Sequence, residues 1–209
     1  MKILIAVINN RKELSLQFYK SLFGLYNFTR DAGHDMSAAF FDYGDIARTR
    51  NNTAQEAVKN GFDYIYFLDV DEVYPYDSIV KLLAHEKEVI SGFYVARTPP
   101  HAPVHYKKVL LGDLLRSEDN LLKPNTGIQE QEAGGFGGIL IKREIFEKIS
   151  HPWFQYMWDE KNNGWIGEDI YFFKKLSGIG VKAYVDTNLH YGHIFTGVVY
   201  PDQKIQVIG

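Results

Sequence analysis

Cysteine is absent from the 209 residues, which excludes disulfides, thiolate nucleophiles and cysteine–zinc sites. Long apolar runs are missing too, since no stretch approaches the roughly 20 residues of a membrane span. The N-terminal run from Ile3 to Ile8 is too short for a secretory leader and has no small-residue cleavage site after it. A cytoplasmic protein is expected on these grounds. There is no block of five or more like charges, and the net charge is only −3. A chain that held nucleic acid mainly by neutralising phosphates would be more basic, so general nucleic-acid binding is disfavoured. Internal repeats and low-complexity segments are also lacking.

What is present is a composition with a core. Hydrophobic residues make up 45% and charged residues 23%, ordinary values for a folded chain. The length suits one domain. Aromatic residues are abundant at 15%. Such side chains fill cores, and they also stack on bases and on the apolar faces of sugars.

The apolar run Lys2 to Ile8 reads as a buried parallel strand. From Glu13 to Phe28 apolar residues recur at helical spacing, on Leu14, Phe18 and Leu22 and on Leu16, Tyr19, Phe23 and Tyr26. Ser37 to Asp42 is a second strand, Ile46 to Asn60 a helix stopped by Gly61, and Tyr64 to Leu68 a third, central strand. Asp77 to Lys87 reads as a helix with Asp77 as N-cap, and Val89 to Val95 as a fourth strand. Alternation of this kind predicts parallel α/β layering, with ligands bound beyond the carboxyl ends of the strands. Asn9-Asn10-Arg11, Asp42 to Arg50, Asp69 to Glu72 and Arg97-Thr98 should therefore converge on one edge. Beyond Thr98 the pattern is less regular. Strands are expected at Lys107 to Leu115, Gly127 to Glu132, Ile139 to Ile141 and Val181 to Val185, with helices at Arg143 to Ile149 and Asp169 to Leu176.

Asp69-Val70-Asp71 follows the third strand directly. With 14 Asp in the chain, about one D-x-D pair is expected by chance, so its position carries the weight. Two carboxylates at the end of a buried strand repel, and a hard divalent cation relieves that repulsion; the alternative is a solvated acidic turn. His190 and His193 follow the last strand, and one His with two Asp is a reasonable set for Mn²⁺ or Mg²⁺. Glu168 and Asp169 open a helix, where they either cap it or supply a general base. Gly134-Gly135-Phe136-Gly137-Gly138 leads into a strand, which excludes a dinucleotide fingerprint and leaves a tight turn or close approach to a ligand. Arg48 and Arg50 stand near a helix N-terminus, suited either to an anionic ligand or to solvent.

Taken together, Ile46-Ala47-Arg48-Thr49-Arg50-Asn51, then FLDVD, GGFGGILIKREIF, GWIGEDIYFFKKL and VDTNLHYGHI resemble, in order, the signature segments of GT-A fold glycosyltransferases, closest in style to family 2. The resemblance implies a GT-A-like single α/β domain with a mostly parallel central sheet and a less regular C-terminal half. Residues 1–98 would form the nucleotide-binding half and residues 99–209 the acceptor-side half. It further implies transfer of a sugar from a UDP- or GDP-linked donor to an acceptor hydroxyl on a glycan, small molecule, protein or modified nucleic-acid base. Asp69 and Asp71 would bind Mn²⁺ or Mg²⁺, with His193 completing the shell and His190 as second choice. Asp169 would be the base, with Glu168 beside it. Asn9, Arg48, Arg50, Asn51, Val70 and the loop Gly135, Phe136 and Gly137 would line the donor. A metal-dependent nucleotidyltransferase and a non-catalytic nucleotide- or glycan-binding module are the competing readings.

Overall fold

A strand that is apolar at every position must be covered on both faces, and in β1 (Lys2–Ile8) every residue from Ile3 onward is buried. The computed structural model describes residues 1–9, 13–109, 116–160, 163–195, 197–202 and 205–207. After β1 the chain runs through α1 (Leu16–Asp31), β2 (Asp35–Phe41), α2 (Ile46–Lys59), β3 (Tyr64–Asp69), β4 (Glu72–Val73), α3 (Ser78–Ala84) and β5 (Val89–Phe93). Shorter pieces follow: β6 (His105–Tyr106), β7 (Ile128–Gln131), β8 (Ala133–Gly134), β9 (Ile139–Lys142), α4 (Arg143–Lys148), β10 (Met157–Asp159) and β11 (Gly164–Ile166). The last elements are α5 (Glu168–Gly178), β12 (Ala183–His190), β13 (Gly192–Ile194), β14 (Gly197–Val199) and β15 (Ile205–Val207).

Seven strands form the central sheet in the order β2-β1-β3-β9-β5-β12-β7. Five of them point the same way, while β9 and β7 run against their neighbours. The period-2 geometry of strands divides the core in two. Leu4, Ala6, Ile8, Ile65 and Phe67 pack on one face with α2, α4 and α5. Ile3, Ile5, Val7, Tyr66 and Leu68 pack on the other with α1 and α3.

Helix starts follow local chemistry. The Ser15 hydroxyl accepts from Phe18 N at 3.0 Å, and Asp45 Oδ1 accepts from Arg48 N at 2.9 Å, so α1 and α2 begin immediately after these caps. Asp77 sits at the expected cap position of α3 but makes no capping bond; its carboxylate pairs with Lys81 instead.

The fourth strand, β5, runs parallel to β3 but does not adjoin it, because β9 inserts between them antiparallel to both. Only one of the two apolar rows read on α1 is buried: Phe18, Leu22 and Leu25 face the sheet, whereas Leu16, Tyr19 and Phe23 are exposed. Of the strand expected at Lys107 to Leu115, residues 107–109 are not in a strand, the nearest being β6 just before them, and residues 110–115 lie outside the described residues.

Candidate active site

The carboxyl end of β3 places Asp69 beside Ile8 of β1, with Asn9 next in the chain. Asn10 and Arg11 lie outside the described residues. The turn that follows β3 is fixed from below. The Tyr74 hydroxyl accepts from Asp69 N at 3.1 Å and donates to Asp69 O at 3.0 Å. Ile194 N donates to the Asp71 carbonyl at 2.6 Å, and β4 pairs with β13 so that Glu72 lies opposite His193. This pairing delivers the histidine. His193 Nδ1 bonds the Val95 carbonyl at 2.9 Å, so Nδ1 is the donor there and Nε2 is the nitrogen turned toward the acidic turn. That nitrogen faces Asp71 Oδ2 at 3.6 Å. His190 turns elsewhere: its Nε2 bonds the Thr187 carbonyl at 2.9 Å.

Arg50 joins the two acidic motifs. Its guanidinium is buried, with Nη2 3.1 Å from Asp69 Oδ1 and Nη1 bonded to Glu168 Oε1. The Phe136 ring lies 4.8 Å beneath it. Burial opposes the charge, but Asp69, Glu168 and Asp169 outweigh it and hold the guanidinium above its ordinary value. Arg50 is thus a structural tie rather than an open anion site. Arg48 is exposed on the first turn of α2. Arg97 reaches the cluster from the other side, with Nη1 3.1 Å from Asp71 Oδ2.

Asp169 stands in the first turn of α5, where Oδ1 accepts from Ile170 N at 2.7 Å. A Cβ on Gly167 would lie 2.5 Å from that oxygen, so glycine there leaves room for the carboxylate. Burial, together with the Glu168 charge and against the pull of Arg50, pushes the Asp169 carboxyl up to about 6. It is mostly ionised at neutral pH and close enough to neutrality to accept and release a proton.

The other predicted residues lie beneath this surface. Asn51 is buried and spends its amide on the 153–154 backbone: Oδ1 accepts from Trp153 N at 2.8 Å and Nδ2 donates to Phe154 O at 2.7 Å. Val70 and Phe136 are core residues. The glycine loop does approach something closely, and it is protein. A Cβ on Gly135 would fall 1.9 Å from the Tyr94 hydroxyl, and one on Gly137 would fall 2.1 Å from Glu72 Oε1.

Glu72 was missed in the sequence, although a third acid directly after D-x-D was a signal. It is buried, its Oε2 has no hydrogen-bond partner, and burial with Asp69 and Asp71 nearby drives its carboxyl well above the ordinary range. Five carboxyls (Asp69, Asp71, Glu72, Glu168 and Asp169) therefore face two guanidiniums. Among the described residues, no three His, Asp or Glu side chains already stand together at ligand spacing. Arg50 and Arg97 now hold oxygens of Asp69 and Asp71. By donor type the set fits a hard divalent cation: two carboxylates, one imidazole nitrogen beside them, and a surplus of acidic over basic side chains.

No family model matches the sequence, and no curated protein matches it. Solved structures do. The protein A197 from STIV aligns over 100% of this chain and 95% of its own, at 20% identity and a TM-score of 0.67. A Drosophila beta-1,4-galactosyltransferase 7 mutant, crystallised with manganese, UDP-Gal and xylobiose, aligns over 93% of this chain and 71% of its own, at 17% identity and a TM-score of 0.50. The fold is GT-A-like. Within a GT-A-like sheet the antiparallel insertion of β9 gains a purpose, because it carries the glycine loop up to the ends of β3 and β5. No helix among the described residues is long and apolar enough to cross a membrane.

Proposed function

We propose that the chain is a metal-dependent glycosyltransferase that moves a sugar from a UDP- or GDP-linked donor to an acceptor hydroxyl. One observation carries the reading. The D-x-D turn and the Glu168-Asp169 pair, far apart in sequence, are tied together by buried Arg50 at the carboxyl end of the sheet, with His193 against Asp71.

In this reading Asp69, Asp71 and His193 hold Mn²⁺ or Mg²⁺, which when bound offsets the charge that develops on the leaving diphosphate. Asn9 and Arg48 line the donor. Val70, Asn51, Gly135, Phe136 and Gly137 form the floor under it and shape it by packing. Arg50 positions Asp69 and Glu168. Asp169 takes the proton from the acceptor hydroxyl as the new glycosidic bond forms. Residues 1–98 thereby supply most of the donor side, and residues 99–209 supply the base and the acceptor side.

The test is product analysis from UDP- and GDP-sugars, with Mn²⁺, after exhaustive EDTA treatment, and after Mn²⁺ is restored. Release of nucleoside diphosphate that EDTA abolishes and Mn²⁺ restores is expected. Pyrophosphate as the product would move the chain to the nucleotidyltransferases, and full turnover in EDTA would remove the metal assignment.

A further inference from the structure

A strand at the end of a sheet offers a row of backbone donors and acceptors to whatever can pair with it. The seven-stranded sheet has two such ends, β2 and β7. They are treated differently. β7 is short, Ile128–Gln131, and its Glu130 is held in an ion pair with Lys182 at 2.7 Å. Short length and charge are the usual guards of an edge. β2 is longer and keeps an unbroken register with β1 from Asp35 to Phe41. From Met36 to Phe41 it carries no charge and no proline. Among the described residues, no strand pairs with its other side.

The bonds to β1 tell which groups face outward. Asp35 N donates to the Met1 carbonyl at 2.9 Å, and Asn9 N donates to the Phe41 carbonyl at 3.0 Å. Successive residues of a strand turn their backbone groups to opposite sides, so Asp35, Ser37, Ala39 and Phe41 serve β1. Met36, Ala38 and Phe40 turn theirs to the open side. The Met36 carbonyl accepts from the Tyr26 hydroxyl at 3.2 Å and has a second lone pair to offer. Side chains beside this edge are apolar. Met36 belongs to the core under α1, so Phe40 lies on the same face of β2, and its ring is 51% exposed. Tyr19 and Phe23, 57% and 62% exposed, share the flank of α1 from which Tyr26 reaches β2. We propose that β2 pairs antiparallel with β2 of a second copy of this chain, joining the two sheets across a two-fold axis at Ala38.

Self-complementarity selects this occupant. A two-fold axis at Ala38 sets that residue against its own copy and Met36 against Phe40, so each outward N–H meets an outward carbonyl. A register shifted by two residues leaves one of these groups without a mate. Just past the strand, the same register sets exposed Asp42 opposite His34 of the second copy, a carboxylate facing an imidazole. Parallel pairing would instead set Asp35 against Asp35 and Asp42 against Asp42, which repel. The rings of Tyr19, Phe23 and Phe40 from both copies flank one seam on one face of the joined sheet, which withdraws them from water. The two candidate sites lie at the carboxyl ends of strands that run in opposite directions, so both stay open.

The absence of cysteine makes the register testable. Opposed residues of a hydrogen-bonded antiparallel pair stand about 5.5 Å apart at Cα, inside the range of about 4.4–6.8 Å that a disulfide spans. With copper phenanthroline as oxidant, Ala38→Cys should therefore give a covalent dimer. Phe40→Cys should not, since the two copies of that position lie roughly 13 Å apart along the pair. Sedimentation velocity on the parent chain, at up to about 100 μM, should show a species of twice the 24.0 kDa of one chain. Ala38→Lys places two like charges on the axis and should raise the dimer dissociation constant about tenfold, with the circular dichroism spectrum unchanged. Should that variant fail to fold, the two cysteine variants still decide. The proposal is overturned if the parent is monomeric throughout, if Phe40→Cys crosslinks as readily as Ala38→Cys, or if a folded Ala38→Lys dimerises as the parent does. None of these readouts involves a nucleotide sugar, so the result stands apart from the proposed reaction.

Discussion

Asp169 lies at the point where two charges compete for one carboxyl. Burial and then Glu168 raise it, Arg50 and the bond from Ile170 N lower it, Asp69 adds a smaller push upward, and the balance lies at about 6. For a carboxylate base the sign is plain. Protonation removes the base, so transfer should fall about tenfold per pH unit below about pH 6 and level off above it. Asp169→Asn keeps the shape and the bond from Ile170 N but cannot take a proton. Transfer to the acceptor should drop by roughly 10²–10⁴-fold with the nucleotide dissociation constant little changed. The acid limb of the pH profile should vanish with it. A variant that transfers at the parent rate would make Asp169 a helix cap and nothing more.

At the scale of elements, short strands do the aiming. β4 and β13 are only two and three residues long, yet their pairing brings His193 from the end of the chain to Asp71. β12 instead ends at His190, whose ring bonds a carbonyl of its own strand. His193→Ala should therefore weaken Mn²⁺ affinity at least tenfold, and His190→Ala should leave it within about twofold, read by titrating Mn²⁺ against each variant. The reverse order would exchange the two roles. The bounds of α2 were legible to within a residue, but α1, read as Glu13 to Phe28, runs Leu16–Asp31, its start set by the Ser15 cap. The buried row of α1 was not legible, since Phe18, Leu22 and Leu25 and the exposed Leu16, Tyr19 and Phe23 have the same spacing. Only the position of the sheet distinguishes the two rows.

At the scale of the whole molecule, the titratable groups in the interior pull stability in opposite directions with pH. His105 is fully buried; Tyr94 N donates to its Nε2 at 3.2 Å, and Nδ1 faces Gln131 Oε1 at 2.9 Å. A proton on Nε2 would meet an N–H, and burial lowers the imidazole to about 4. Its contribution to stability is present above the ordinary value of 6.5 and is lost as pH falls toward 4. Between pH 7 and 5 this amounts to about 2 kcal/mol. Asp69, Glu72 and Asp169 have the opposite sign, because their raised carboxyls bind protons in the folded state and stabilise it as pH falls. The parent alone would mix the two effects. His105→Gln separates them: the difference in unfolding free energy between parent and variant, from urea melts, should shrink by about 2 kcal/mol from pH 7 to pH 5. A difference constant with pH would mean that His105 is not held neutral.

Whatever rests on near neighbours in the chain was determined by the sequence alone: the buried strands at Lys2–Ile8 and Tyr64–Asp69, the helix of Ile46–Lys59, and a D-x-D at the end of a central strand. Strand ends gather on one edge of an α/β sheet, so the meeting of Asp69 with Arg50 and of Asp71 with Arg97 was legible as well. Tertiary structure alone decided the rest. The place of β9 between β3 and β5 and the conversion of Arg50 into a buried tie between Asp69 and Glu168 both depend on contacts between distant segments. Glu72 is the plainest case. In the chain it is one more acid in an acidic turn, and it is removed from water by distant segments, with Gly137 against its carboxyl and β13 paired beside it. Burial is a property of the assembled molecule, and burial is what turns an ordinary carboxylate into a group that holds a proton or calls for a cation.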